Sequence, residues 1–164
     1  MIAGLGAARV RFVVVGGVAA GLQGSVHATL DLDICYDPAP DNRRRLAALL
    51  KRWGAYLRGV EPGLPFILDE KTLATAHVLT LTTAHGDLDV MDAVAGVGTY
   101  QDVHRASVEV EASGTRFRAL GLRGLIRAKR AVGRPRDLTQ LPELEALLEL
   151  ERRRLRSRGG RGGR

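Results

Sequence analysis

The 164-residue chain is long enough for one domain with a sizeable core, and no apolar stretch approaches the roughly 20 residues that span a bilayer. Its single cysteine, Cys35, excludes an internal disulfide and favours a reducing, cytoplasmic setting. The net charge is +7, and the stretch from Arg152 onward has seven arginines and no acid. The basic charge therefore belongs to the C-terminal end, and the preceding residues are neutral overall. We therefore predict one domain over residues 1–151 and a disordered Arg/Gly-rich tail over residues 152–164. The tail is expected either to be a solvated terminus or to contact a polyanion such as RNA.

The N-terminal part of the chain predicts a strand, a short helix and a second strand. The β-branched run "RFVVV" is typical of a strand and ends at Gly16 and Gly17, while "VAAGLQG" predicts the helix. The next segment, "TLDLDICY", alternates strictly between apolar and polar residues. One face would carry Leu30, Leu32 and Ile34, and the other Thr29, Asp31, Asp33 and Cys35. We expect Cys35 to be a small buried thiol.

The remaining elements indicate an α+β fold. Asp41 is expected to cap a helix over "NRRRLAALLKRW", and residues 55–75 predict irregular structure or a short strand. Two hairpins follow, one around "AHG" and one around Ser113 and Gly114. The segments "LRGLIRAKRAVG" and "LPELEALLELERRR" predict two helices separated by "RPRD". The simplest arrangement is a mixed, largely antiparallel sheet with helices packed against it.

Two carboxylates on one strand face require an explanation. Asp31 and Asp33 would lie roughly 6 to 7 Å apart at their Cα atoms, so they repel unless they are protonated or bridged by a cation. A hard divalent ion is one remedy, and a solvent-facing polar surface is the alternative. Gly16 and Gly17 before the helix would let backbone N–H groups approach an anion, although a glycine pair at a strand end is also a simple turn.

These residues resemble the signature of a known enzyme superfamily. The order of an apolar residue, Gly16 and Gly17, a short helix and Thr29-x-Asp31-x-Asp33 is similar to that of the DNA polymerase beta-like nucleotidyltransferases. Within that superfamily it resembles the minimal bacterial branch, which includes AbiEii-type toxins and small antibiotic-modifying enzymes. The resemblance implies a third carboxylate on a later strand, within "GDLDVMD". The alternation favours Asp89, with Asp87 as the fallback on the same face and Asp92 on the opposite one.

A second segment, "LIRAKRAVGRPRDL", resembles the K…R-x-x-D-L stretch of the same superfamily. Lys129 is unusual in its own right, because it falls within the apolar stripe of the predicted helix and should face an anionic partner. The alternative is a lysine whose stem packs while its ammonium reaches solvent or Asp137. Arg134 and Arg136 could equally be solvated loop charges, and Asp137 with Gln140 could cap the last helix. The sequence has His27 where many relatives have an arginine, and a lone histidine there is expected to be inert.

The resemblance implies a Mg²⁺-dependent enzyme that moves NMP from an NTP to a hydroxyl acceptor. The implied catalytic residues and metal ligands are Asp31, Asp33 and Asp89, around what we expect to be two Mg²⁺ ions. The implied nucleotide-binding residues are Gly16, Gly17, Thr29, Lys129 and Arg134. The acceptor could be the end of a tRNA or other RNA, a protein or a small molecule, and the chain could be a toxin with a cognate antitoxin. The alternative is a catalytically inactive nucleotide- or RNA-binding module on the same scaffold.

Overall fold

The computed structural model describes residues 1–27, 29–61 and 65–159. Its helices are α1 (Ile2–Ala7), α2 (Gly16–Leu22), α3 (Pro40–Arg52), α4 (Glu70–Thr75), α5 (Tyr100–Arg105), α6 (Leu122–Val132) and α7 (Pro135–Gly159). Its strands are β1 (Phe12–Val15), β2 (Asp31–Tyr36), β3 (Tyr56–Leu57), β4 (Val78–Thr83), β5 (Gly86–Met91), β6 (Ala93–Val94), β7 (Gly98–Thr99), β8 (Ser107–Ala112) and β9 (Thr115–Leu120). Within the described ranges, no helix is both long and apolar enough to cross a membrane.

Seven of these strands form one mixed sheet. Their order is β3-β4-β5-β2-β1-β9-β8, and β6 and β7 form a separate two-stranded ribbon. Strand β2 runs parallel to β5, and β1 runs parallel to β9. The other four pairs in the large sheet are antiparallel. The predicted α+β class with a mixed, largely antiparallel sheet is therefore confirmed.

The core lies where the central strands meet the helices. All four residues of β1 are buried, as expected for an apolar β-branched strand in the middle of a sheet. On β2, Leu32 and Ile34 face the core, and on β5 Leu88 and Val90 do so. Because side chains alternate along a strand, the aspartates of β2 and β5 emerge together on the opposite face of the sheet.

Several local predictions need correction. Strand β2 begins at Asp31, so Leu30 lies outside the ladder and is 99% exposed instead of facing the core. Cys35 is fully buried, as predicted. The residue before α3 is Ala39, and Pro40 opens the helix. Asp41 thus lies in the first turn, where its carboxylate binds Arg11 instead of capping the helix.

The segment 55–75 is more regular than predicted. It contains the two-residue strand β3 and the helix α4, whose cap is Asp69 accepting a hydrogen bond from the Thr72 N–H at 2.9 Å. Residues 62–64, which belong to the same predicted irregular segment, lie outside the described residues.

The C-terminal helix also differs from its prediction. It starts at Pro135, so Asp137 lies in its first turn rather than before it. The helix continues to Gly159 with Pro142 inside it, and the predicted boundary at residue 151 falls within α7. Residues 152–159 are therefore helical where the sequence predicted a disordered tail, and residues 160–164 lie outside the described residues.

Candidate active site

The three predicted carboxylates converge on one face of the sheet. In the parallel pairing of β2 with β5, Asp33 is directly opposite Asp89. Asp31 lies one pleat away on the same face of β2. One carboxylate oxygen from each of the three residues lies within 4.8 Å of the others. We call this group the acidic cluster. The predicted convergence of the three side chains is therefore confirmed.

The register distinguishes Asp89 from the other two acids considered for the third position. Asp87 pairs with Asp31 along the sheet, but it is not part of the acidic cluster. Its Oδ1 accepts a hydrogen bond from Thr82 at 2.9 Å. Asp92 lies beyond the end of β5 and contacts His77 at 3.1 Å. The geometry thus favours Asp89 over its fallback.

The two glycines provide space beside the cluster. Gly16 has a φ of +60°, and a Cβ at this position would lie 2.1 Å from Asp33 Oδ2. A Cβ at Gly17 would lie 2.7 Å from the Cβ of Thr29. The backbone N–H of Gly17 donates a hydrogen bond to the Asp33 carboxylate. The glycine pair therefore holds Asp33 and Thr29 close to α2, a role that the sequence prediction of an anion cradle did not include.

Thr29 orients Asp31. Its hydroxyl donates a hydrogen bond to Asp31 Oδ1, which fixes the carboxylate from the residue two positions earlier. This hydrogen bond is the main reason that the pKa of Asp31 is lowered, and the nearby positive charges of Arg58 and Arg136 act in the same direction. Asp31 is therefore held in its ionised form.

The other two carboxylates are less favourable as anions. Burial, together with the negative charges of Asp31 and Asp89, raises the pKa of Asp33 to about 6. Burial also raises the pKa of Asp89, although Arg58 opposes that change. The cluster therefore concentrates negative charge in a place that disfavours it, which is the electrostatic condition that a bound cation relieves.

Arg58 is a site residue that sequence reasoning missed. It follows β3, and its Nη2 donates a hydrogen bond to Asp89 Oδ1 at 2.5 Å. Its other nitrogens lie 3.3 Å from Asp87 and 3.8 Å from Asp31. The side chain is only 29% exposed. No periodic signal marks this position, because β3 has two residues and its partners lie on strands distant in sequence.

The predicted basic residues belong to α6, to α7 and to the turn between them. Lys129 is inward-facing, with 12% of its side chain exposed, and its Nζ lies 3.2 Å from Asp137 Oδ1. This was the alternative partner considered for the lysine from the sequence. Arg134 is exposed in the turn between α6 and α7. Arg136 lies in the first turn of α7 and acts on Asp31 through its charge, whereas it was expected to be a possible solvated loop charge.

A cavity of about 530 Å³ joins these groups. It is lined by the acidic cluster, by the glycine pair and by apolar residues that include Val78, Met91 and Val94. Residues of α6, of α7 and of the turn between them also line it, including Lys129 and Arg134. The cavity thus combines carboxylate oxygens, cationic groups and apolar surface, which is the composition of a pocket for a charged ligand with an apolar part.

His27 lies at the rim of this cavity, where it is tied to α7. Its Nε2 lies 3.2 Å from Glu143 Oε2. The same glutamate accepts a hydrogen bond from the Ser25 hydroxyl at 3.0 Å and from the Val26 N–H at 2.9 Å. Glu143 therefore fixes the loop that leads into Thr29, a role that was not apparent from the sequence.

Comparison with known proteins supports the fold at the level of structure. No protein-family model matches the chain, and no curated protein sequence is similar to it. Among solved structures, the chain is similar to a candidate nucleotidyltransferase (TM1012) from Thermotoga maritima, with a TM-score of 0.50 and 16% identity over 93% of this chain and 88% of the other. It is also similar to the antibiotic-resistance factor ANT(2'')-Ia, a nucleotidyltransferase, with a TM-score of 0.53 and 16% identity over 96% of this chain and 88% of the other. The chain has a nucleotidyltransferase-like fold.

Proposed function

We propose that this chain is a Mg²⁺-dependent nucleotidyltransferase that moves NMP from an NTP to a hydroxyl acceptor. The observation that carries the proposal is the approach of oxygen atoms from Asp31, Asp33 and Asp89 to within 4.8 Å of one another. The nucleotidyltransferase-like fold and the cavity that opens onto these carboxylates support it.

The donor set fits Mg²⁺. This ion prefers oxygen ligands at about 2.1 Å in octahedral geometry, so two ligands on one ion are at most about 4.2 Å apart. The oxygens of the cluster span up to 4.8 Å. These three carboxylates could therefore hold one or two such ions after a small side-chain adjustment. When bound, such ions neutralise the triphosphate and lower the pKa of the attacking hydroxyl.

The surrounding residues then have distinct roles. Thr29 holds the Asp31 carboxylate in position, and the Gly17 N–H holds that of Asp33. Gly16 and Gly17 line the cavity without side chains, so a phosphate group can approach the backbone. Lys129 and Arg134 line the same cavity and supply positive charge for the β and γ phosphates. Lys129 does so while paired with Asp137.

For the acceptor, we propose RNA rather than a small molecule. The end of α7 carries exposed arginines, including Arg152 and Arg153, and such a charged helix would bind a polyanion through counterion release. The similarity to an antibiotic-resistance factor makes small antibiotics the rival acceptors. A third possible acceptor is a protein, which would suit a toxin with a cognate antitoxin. The transfer assay below includes this acceptor. Growth arrest on expression, relieved by a neighbouring gene, would identify a toxin pair.

The test is the transfer of label from each α-³²P-labelled NTP to RNA, to cell protein or to antibiotics, with and without Mg²⁺. We expect Mg²⁺-dependent transfer by the wild-type chain and a loss of at least about 100-fold in Asp33→Asn. Asp92→Asn is the matched control, because Asp92 follows the same strand β5 and lies outside the acidic cluster. Transfer that survives in Asp33→Asn would refute the proposed role of the cluster.

Calorimetric titration of NTP separates this enzyme from a catalytically inactive binding module. An enzyme of this type should bind NTP more tightly when Mg²⁺ is present, because the ion links the triphosphate to the acidic cluster. Equal NTP affinity with and without Mg²⁺, combined with no transfer to any acceptor, would favour the binding module instead.

A further inference from the structure

The acidic cluster already has a cationic partner within the chain. The guanidinium of Arg58 lies against Asp89, Asp87 and Asp31 at 2.5, 3.3 and 3.8 Å respectively. We propose that Arg58 is a built-in cation that competes with the divalent metal for Asp89 and is displaced when the metal binds. This inference rests on the metal role proposed above and adds a means by which the chain sets its own metal affinity.

The fold delivers Arg58 to this position. The Arg58 N–H donates a hydrogen bond to the Thr80 carbonyl at 3.0 Å, which continues the antiparallel ladder of β3 with β4. Nη2 also lies 3.3 Å from the Leu81 carbonyl. On the sheet, Thr80 pairs with Asp89, so a single strand, β4, separates the anchored backbone of Arg58 from its carboxylate partner. The strand register therefore positions the Arg58 backbone beside the acidic cluster, so the contact is not that of a freely mobile surface side chain.

The contact and metal binding exclude each other for electrostatic reasons. Arg58 donates to Asp89 Oδ1 at 2.5 Å and so compensates the negative charge with which this carboxylate would attract a metal. A divalent ion shared by Asp33 and Asp89 would place two cationic groups around the same oxygens, and they would repel strongly in this half-buried setting. Among the described residues, Arg58 forms no ion pair with Asp33, so that carboxylate remains open to a metal.

The guanidinium is also incompletely satisfied where it lies. Its Nε is buried and has no hydrogen-bond partner among the described residues, although Asp87 Oδ2 is 3.3 Å away. A buried donor without a well-directed acceptor loses part of the free energy that it had in water. Arg58 is therefore held mainly by charge, and a metal that removes the negative charge also removes the reason for the contact.

The first experiment measures Mn²⁺ binding by the loss of the free-ion signal in electron paramagnetic resonance. We expect Arg58→Gln to bind Mn²⁺ about tenfold more tightly than the wild-type chain, because the competing charge is gone. Arg58→Lys should stay closer to the wild type, since it keeps the charge. Arg11→Gln is the matched control and should leave Mn²⁺ affinity unchanged, because Arg11 pairs with Asp37 and Asp41 outside the cluster. Equal or weaker Mn²⁺ binding by Arg58→Gln would overturn the inference.

A second experiment uses the wild-type chain and so does not depend on the folding of a variant. Phenylglyoxal modifies accessible arginines, and peptide mapping then reports each one separately. We expect saturating Mn²⁺ to increase modification of Arg58 several-fold as it leaves the carboxylates, while Arg11 stays unchanged as an internal reference. Unchanged or reduced modification of Arg58 would overturn the inference.

The outcomes separate this inference from the proposed enzyme activity. Tighter Mn²⁺ binding in Arg58→Gln without label transfer by the wild-type chain supports the competing cation and refutes the transferase. Label transfer by the wild-type chain without a change of Mn²⁺ affinity in Arg58→Gln supports the transferase and refutes the competing cation.

Discussion

Replacing Asp33 with Asn should stabilise the metal-free protein at neutral pH. Asp33 lies in the half-buried acidic cluster, where burial and the charges of Asp31 and Asp89 raise its pKa from 3.8 to about 6. The native state therefore resists ionisation of this side chain. Asparagine removes the charge, keeps the shape and retains an oxygen that can accept the Gly17 N–H.

The size and sign of the effect follow from linkage. A shift of about two pKa units corresponds to about 3 kcal/mol, which is an upper value for a side chain that is not fully buried. Because the pKa is raised in the folded state, the contribution of Asp33 to stability is fully present below pH 3.8 and is lost as the pH rises through about 6. The advantage of Asp33→Asn should thus be largest above pH 7 and disappear near pH 3.5.

The assay is urea unfolding of both chains in EDTA between pH 3.5 and 8. The difference between their free energies of unfolding isolates residue 33, because the other titrating groups are common to both. Asp31→Asn is the matched control on the same strand: its pKa is lowered by Thr29, so its neutralisation should not stabilise the protein at pH 7.5. Adding Mg²⁺ should stabilise the wild type and reduce the advantage of Asp33→Asn. An Asp33→Asn chain that is no more stable than the wild type at pH 7.5 in EDTA would refute this reasoning.

Three further predictions concern the residues around the cluster. In urea unfolding, Gly16→Ala should lower the free energy of unfolding more than Gly54→Ala does. Both glycines have a φ of +60°, so both substitutions cost about 1 kcal/mol in backbone strain, but only the Cβ at Gly16 meets another atom, Asp33 Oδ2 at 2.1 Å. Equal losses would contradict this close approach. Thr29→Val should weaken Mn²⁺ binding about tenfold, because the hydrogen bond to the Asp31 carboxylate is lost. Thr29→Ser keeps the hydroxyl and should bind Mn²⁺ as the wild type does. Equal Mn²⁺ affinities of the two variants would exclude a role of this hydrogen bond in metal binding. Lys129→Met should destabilise the protein by about 3 kcal/mol because Asp137 is left without its partner, and adding Asp137→Asn should restore stability but not NTP affinity in calorimetry. Recovery of NTP affinity in that double variant would assign the lysine a purely structural role.

The acidic cluster could be predicted because its signal is local. Alternation within "LDLDI" and "GDLDV" fixes which side chains share a face, and the tertiary fold has only to place the two strands side by side. Alternation does not separate Asp89 from Asp87, because both lie on the same face of β5; the pairing of Asp89 with Asp33 brings Asp89 into the acidic cluster. Helix α5 also has a local signal, because Thr99 and Asp102 form a capping box that marks its start.

The remaining features depend on contacts between distant segments. Arg58 is 31 positions from Asp89, and the strand before it has only two residues, so no periodicity marks Arg58. The clearance between Gly16 and Asp33 exists only because β1 and β2 are antiparallel neighbours. Leu30 was assigned to the core because the alternation extends to it, but the ladder with β5 begins later, at Asp31. A hydrophobic pattern reports a possible strand face, while the hydrogen-bond ladder decides where the strand starts.

The three carboxylates of the cluster have three different closest hydrogen-bond donors, and this difference determines how a cation can enter. Asp31 has the Thr29 hydroxyl, and Asp33 has the Gly17 N–H. Both partners are neutral donors that leave further lone pairs on each carboxylate, so they are compatible with a bound metal. Asp89 instead has a full positive charge from Arg58, which a metal must displace. Asp31 and Asp33 could therefore offer oxygen atoms to a cation with these donors in place, whereas Asp89 could do so only after Arg58 moves.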